Sequence, residues 1–189
     1  LGIPGLKVHS KLCMITRREQ KKDVVYSVIG TGNFNENTAR LYTDHYLLTC
    51  NSKITREVAS LFQFFEMNYR HSEYKTLMVS PFNMRKKLID LIRNETRIAE
   101  RGEPAYLFFK LNNLVDFEII KHLYKASSAG VRIRLIVRGM FSLIAGRAGL
   151  SENIEARGLV DRYLEHSRVY LFGNAGKELC FISSADLMN

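Results

Sequence analysis

Ala105-Tyr106-Leu107-Phe108-Phe109-Lys110-Leu111, then Asp116 to Ser128, then Val131-Arg132-Ile133-Arg134-Leu135-Ile136-Val137 read as strand, helix and strand. The outer runs are short and apolar, while the middle segment has helical spacing and stops at Gly130. A helix between two strands is a crossover, and a crossover brings the chain back in parallel. This stretch predicts an α/β fold with a parallel pair at its centre.

Working outward, Leu88, Leu91, Ile92, Ile98 and Ala99 predict a helix that ends at Gly102. Before it, Leu77-Met78-Val79-Ser80 reads as a short strand feeding the helix through Ser80-Pro81-Phe82-Asn83. On the other side, residues 139–158 are poorly periodic and predict a long loop, the kind that often carries function. Strands are expected at Arg168 to Phe172 and Leu179 to Ile182. Upstream, Leu6 to Arg17, Val24 to Ile29 and Thr43 to Cys50 read as strands, with an amphipathic helix over about residues 53–69. The polar stretch 68–75 is the expected junction between two α/β units, 1–75 and 76–189.

The chain has 189 residues, 46% of them hydrophobic, enough for one large domain or two small ones with proper cores. Its formal net charge of +9 and pI near 9.6 predict a polyanionic partner: nucleic acid, an acidic membrane surface or chains of phosphate. Cys13, Cys50 and Cys180 have no metal-ligand spacing. Cys13 and Cys180 lie in apolar strand patterns and are expected to be buried thiols, which fits a reducing, cytosolic setting. No run is long enough to span a bilayer and no signal peptide is visible. The start at Leu1, without methionine, and the stop just after a motif predict a piece of a longer protein.

That motif occurs twice. His9-Ser10-Lys11 is followed by Ile29-Gly30-Thr31-Gly32-Asn33, and His166-Ser167-Arg168 by Ile182-Ser183-Ser184-Ala185-Asp186. Positions two apart on a strand share a face, so each histidine lies beside a cation. One strand histidine is ordinarily a packed core residue; two in matching frames argue for chemistry. An imidazole beside a fixed positive charge suits phosphoryl transfer, with one ring attacking phosphorus and the other serving the leaving or attacking oxygen. In Gly30-Thr31-Gly32-Asn33, backbone N–H groups and the Thr31 hydroxyl are candidates to reach anionic oxygens, although the segment is also an ordinary strand-end turn and no Walker loop. Arg40 and Tyr42 follow within reach of the same cleft. Lys110-Leu111-Asn112-Asn113 and Arg138-Gly139 mark strand ends, where α/β sheets bind ligands. Arg138 is either a fork for two phosphate oxygens or half of a structural salt bridge. Arg132 and Arg134 read as a solvated face, and His45, His71 and His122 as structural or exposed.

The paired motifs resemble the phospholipase D superfamily, which assembles one site from two such halves around a phosphohistidine. That superfamily carries an Asp five positions after the lysine, where this chain has Thr16 and Gly173. A resemblance covering nearly the whole chain is to the C-terminal region of bacterial polyphosphate kinase. It runs through Lys7-Val8-His9-Ser10-Lys11, Ile29 to Asn35, Thr38 to Asp44, Val79 to Asn83, Lys110 to Asp116, Leu135 to Gly139, Gly149 to Ile154, Tyr163 to His166 and Ser183 to Asp186. It implies two phospholipase D-like α/β units of mixed sheets flanked by helices, the first truncated. It also implies reversible transfer of the terminal phosphate of ATP to inorganic polyphosphate, with Mg2+ whose ligands lie upstream. His9 would be the phosphorylated nucleophile, with Tyr42, Arg138 and His166 at the nucleotide; Lys11, Asn33, Lys110 and Arg168 complete the expected phosphate contacts. Self-association, a cytoplasmic location with attachment to the inner membrane, no need for nucleic acid, and inactivity of the isolated piece are further expectations. The rival readings are a phospholipase D-type phosphodiesterase or nuclease, and a non-catalytic polyanion-binding module.

Overall fold

The structure, a computed structural model, describes residues 5, 7–69 and 72–188, so Leu6 and His71 lie outside the described residues. β1 (Lys11–Glu19) and β2 (Lys22–Gly30) form an antiparallel hairpin with Lys11 opposite Gly30. The first strand begins at Lys11 because residues 7–10 leave the ladder: the Lys11 ammonium takes the His9 carbonyl, and the His9 ring reaches a distant loop. A one-turn helix, α1 (Glu36–Ala39), is capped by the Asn35 side chain.

The predicted strand from Thr43 to Cys50 is two strands, β3 (Tyr42–Thr43) and β4 (Tyr46–Thr49). Between them Asp44 turns to Thr31, the His45 N–H donates to the Thr31 hydroxyl oxygen, and the Thr31 N–H donates to the His45 carbonyl. β4 then pairs with β2, giving a sheet in the order β1-β2-β4. α2 (Ser52–Glu66) lays Thr55, Val58, Leu61 and Phe64 on this sheet at helical spacing. It stops short of the predicted 69.

No strand forms at Leu77–Ser80. The N–H groups of residues 75–77 go to the Glu57 carboxylate and that of Val79 to the Asn83 side chain, so side chains replace a ladder. Beyond this junction come α3 (Met84–Glu100), β5 (Tyr106–Leu111), α4 (Phe117–Ser128) and β6 (Arg132–Val137). Asp116 caps α4 by accepting from the Ile119 N–H. β5 and β6 are parallel, as the crossover requires. The segment expected to be a long loop contains β7 (Ile154–Arg157), parallel to β6. Four residues with one fully buried position, Ile154, are too short a signal to see in sequence. β8 (Leu164–Glu165), β9 (Arg168–Phe172) and β10 (Leu179–Ser183) complete the chain.

The second sheet runs β10-β9-β5-β6-β7, parallel through β5, β6 and β7 and antiparallel through β9 and β10. Leu88, Ile92, Ile119 and Leu123 from the helices pack with Leu107, Phe109, Ile133, Leu135, Tyr170 and Phe172 from the strands. Each such side chain, fully withdrawn from water, contributes about 1.5–3 kcal/mol, so this core holds the second half together. The second sheet is thus mixed, whereas the first is antiparallel throughout, and helices lie against both. Cys180 is exposed and Cys13 half-buried, contrary to expectation, because β10 and β1 are edge strands without full cover. Among the described residues no helix is long and apolar enough to cross a membrane.

Candidate active site

The two hairpins have the same register. Lys11 stands opposite Gly30 and Arg168 opposite Ser183, so Thr31 corresponds to Ser184 and Asn33 to Asp186. Each cation folds back on its own histidine: Lys11 Nζ donates to the His9 carbonyl at 2.6 Å and Arg168 Nη1 to the His166 carbonyl at 2.8 Å. The shared strand face expected from the sequence does not form, because both histidines precede their strands, which begin at Lys11 and Arg168; what brings each cation back is the carbonyl of its histidine.

The imidazoles cross over. His9 Nδ1 lies 3.0 Å from the Ser184 carbonyl, in the loop after β10. His166 Nδ1 lies 2.8 Å from the Asp44 carboxylate, in the break between β3 and β4. Each ring is therefore oriented by an acceptor from the opposite half. A carbonyl only accepts, so His9 Nδ1 carries the hydrogen and Nε2 keeps its lone pair. Partial burial holds the His9 pKa below the ordinary 6.5, with the neighbouring Lys11 charge as the second cause and Arg168 adding to it. At neutral pH His9 is thus an exposed imidazole held toward its neutral form, with the Nε2 lone pair available.

The halves are joined at the site by a two-stranded parallel seam, in which Tyr42 pairs with Leu164 and Thr43 with Glu165. Ser167 N–H donates to the Thr43 carbonyl and the Thr43 hydroxyl to the Glu165 carboxylate. Tyr42 packs against His166, ring centroids 5.0 Å apart. Asp44 also accepts from the Thr31 hydroxyl at 2.7 Å. Gly32 is required here, because a Cβ at that position would come 1.8 Å from the Asp44 carboxylate.

The predicted phosphate ligands divide into free and engaged. Arg138 Nε donates to Asn112 Oδ1 at 2.8 Å, and no other partner takes its two terminal nitrogens among the described residues. Lys11 is buried, yet makes no ion pair with a carboxylate among the described residues. Burial and the Arg168 charge lower its pKa from 10.5 to about 8, against the opposing pull of Asp44. Arg168, by contrast, is buried in an ion pair with Asp186. Lys110 is spent on the Ser167 carbonyl and hydroxyl and on Glu165. The Thr31 hydroxyl faces Asp44 rather than an open turn, the Asn33 side chain is exposed, and Arg40 pairs with Glu36 on the surface. His45 is exposed and His122 half-buried near Arg93, neither at the site. Arg132 and Arg134 are solvent-facing.

Several participants were missed in the sequence. Asp186 accepts the N–H groups of Asn112 and Asn113, which ties the end of β5 to Arg168. Asp44 carried one signal, a carboxylate inside an otherwise apolar strand pattern. Ser184 stands in the repeated motif, but nothing there signalled that its backbone carbonyl would hold a ring from the other half. The position five residues after Arg168 is Gly173, where any Cβ would meet the Tyr106 ring at 2.8 Å, so an aspartate cannot stand there without displacing that ring. The cation's carboxylate partner comes instead from Asp186.

Paired hairpins with exchanged histidine partners define a protein whose chemistry is shared between two α/β halves. Residues 1–71 match the family Polyphosphate kinase C-terminal domain 1, and residues 77–189 match Polyphosphate kinase C-terminal domain 2. The polyphosphate kinase of Yersinia pestis is 54% identical over 98% of the chain, and that of Escherichia coli K12 is 52% identical over the same share. The crystal structure of polyphosphate kinase from Porphyromonas gingivalis superposes with a TM-score of 0.88 at 42% identity, covering 97% of the chain and 31% of that protein. The chain belongs to the polyphosphate kinase family. It spans 27% of the length of these curated relatives.

Proposed function

We propose that this region carries the phosphohistidine relay of a polyphosphate kinase, moving the terminal phosphate of ATP to the end of an inorganic polyphosphate chain and back. One observation carries the reading: each imidazole is aimed by an acceptor from the other half, leaving both Nε2 atoms unpartnered among the described residues. In the first step His9 Nε2 attacks the terminal phosphorus, the bond to the bridging oxygen breaks, and ADP leaves. In the second, a terminal polyphosphate oxygen attacks the same phosphorus, and the N–P bond breaks to regenerate His9. His166 serves the bridging oxygen, its Nε2 donating to it as the bond breaks and accepting in the reverse direction. Phosphoryl transfer depends on position and positive charge more than on covalent chemistry. Lys11 and the free end of Arg138 supply charge that no carboxylate among the described residues cancels at ion-pair distance, while Lys110 and Arg168 act as fixed scaffold.

Magnesium belongs to this reaction as the companion of the nucleotide, neutralising phosphate charge. The described residues do not fit a metal cage: no group of three His, Cys, Asp or Glu is placed to hold one, and Asp44 and Asp186 are committed to His166 and Arg168. Self-association and peripheral attachment to a membrane belong to the same proposal, on family grounds alone.

Incubating the full-length enzyme with ATP and magnesium should place an acid-labile, base-stable phosphoryl group on His9. Ordinary polymer synthesis by a His9→Ala enzyme would end the proposal.

A further inference from the structure

The stretch joining the two halves was expected to be a polar junction at 68–75 followed by a short strand at Leu77–Ser80, yet side chains hold the N–H groups of residues 75, 76, 77 and 79 and the carbonyls of 74, 75 and 77. Glu57, on α2 of the first half, accepts from the N–H groups of Lys75 and Thr76 at 2.9 Å and of Leu77 at 2.7 Å. From the second half, Lys87 on α3 donates to the carbonyls of Tyr74, Lys75 and Leu77 at 2.9, 2.6 and 3.2 Å. Asn83 donates to Tyr74 and Leu77 and accepts from Val79. An anionic side chain thus grips the donors while a cationic one grips the acceptors of the same few residues. Apolar packing adds to the grip: Tyr74 sits in a small core with Leu61 and Phe64, and Leu77 and Val79 pack against it.

We propose that residues 74–79 are a rigid clamp, not a hinge, and that Glu57 is a positioning residue for phosphoryl transfer. Both reactive rings are oriented across the two halves, His9 by Ser184 and His166 by Asp44. Rotation of one half against the other loosens both contacts together. The seam of β3 and β8 is only two residue pairs long and resists such rotation weakly. The junction is the second point of attachment, and two points fix an orientation where one does not. Three backbone donors converge on one carboxylate, so Glu57 is the member whose loss frees the most backbone at once. The clamp rests on these hydrogen bonds; its role in transfer rests on the proposed phosphohistidine relay.

The test uses the full-length enzyme with Glu57→Gln, Glu57→Asp and, as a surface control, Glu118→Gln on the exposed first turn of α4. Glutamine keeps the size but turns a donor toward donors; aspartate keeps the charge with a shorter reach. Backbone hydrogen exchange, kcat and KM for ATP, and the thermal midpoint are measured for each. In Glu57→Gln, exchange at residues 75–77 should rise at least about tenfold while β5 and β6 stay protected. Its kcat should fall about 10- to 100-fold with KM for ATP within about twofold of wild type, as expected for misaligned rings rather than lost binding. Glu57→Asp should recover part of both effects, and Glu118→Gln should show neither. Unchanged exchange at 75–77, unchanged kcat, or a kcat loss that vanishes well below the thermal midpoint overturns the proposal. A wild-type enzyme that never phosphorylates His9 sinks the transfer reading instead, and the exchange result then decides the clamp by itself.

Discussion

The β1–β2 and β9–β10 hairpins are built on one register and differ in what restrains the cation. In the second, Arg168 is locked: Asp186 holds it, and the β5 end holds Asp186. In the first, the matching position is Asn33, exposed and remote from any such role, and Lys11 is left buried with no counter-charge at ion-pair distance among the described residues. A buried cation without its anion is costly, and it is the group an anionic ligand completes best. The half that carries the proposed nucleophile is thus the electrostatically incomplete one. The other is electrostatically finished and orients the His9 ring through Ser184, while its own His166 is oriented by Asp44 of the first half. The same motif thus sits in two different electrostatic settings.

The largest effect should come from breaking the cross-connection itself. Asp44→Asn keeps the shape but can present an amide hydrogen to His166 Nδ1, favouring the wrong tautomer. Turnover should fall by about 10²- to 10⁴-fold while His9 still accepts phosphate slowly from ATP. Full activity in that variant would show that His166 needs no anionic partner and that the two halves are less coupled than their geometry indicates.

Next come the matching positions 33 and 186. Asp186→Ala strands a buried guanidinium and two N–H groups, and should cost about 3–5 kcal/mol of stability. Asn33→Ala, at the same register position, should stay within about 0.5 kcal/mol. Urea unfolding of the two variants side by side measures the asymmetry directly, and equal losses would erase it. Gly32→Ala falls between them at about 1–3 kcal/mol, since its Cβ must displace the Asp44 carboxylate. It should also lower turnover, and a normal enzyme from Gly32→Ala would mean that Asp44 moves freely.

The sequence made the frame of this asymmetry legible and left its cause hidden. The strand–helix–strand core from 105 to 137 was readable because periodicity, length and the stop at Gly130 all agreed. The paired motifs were readable because they repeat in order. What stayed hidden depends on contacts between distant segments. Asp44 breaks a strand to reach His166, 122 positions away. Lys110 looked like a phosphate ligand at a strand end, but Glu165, next to His166, takes its charge. Asn112 and Asn113 looked like ligand contacts and instead give their N–H groups to Asp186. Residues 77–80 had the composition of a strand, yet side chains from two helices claim their polar groups first. Local pattern names the element; which partner captures a polar atom is a tertiary outcome.

The smallest effect is also the one most specific to the unfinished half. Lys11 titrates near 8 in the folded protein against 10.5 ordinarily, chiefly through burial and then through Arg168. Below about pH 8 both folded and unfolded chains hold this proton, and the cost of burying the charge is present in full. Between about 8 and 10.5 the unfolded chain holds the proton and the folded one does not, so stability rises with pH across that window. Lys11→Met lacks this rise, and its thermal midpoint should be the flatter of the two there. An anionic ligand reverses the shift by giving the ammonium its missing partner. Binding of tripolyphosphate near pH 8 should therefore take up a fraction of a proton, seen as a dependence of the calorimetric heat on the buffer's ionisation enthalpy. That dependence should shrink in Lys11→Met and persist in Asn33→Ala. Equal proton uptake by wild type and Lys11→Met would show that Lys11 is charged and satisfied before the ligand arrives, and the contrast between the half-sites would then be one of shape alone.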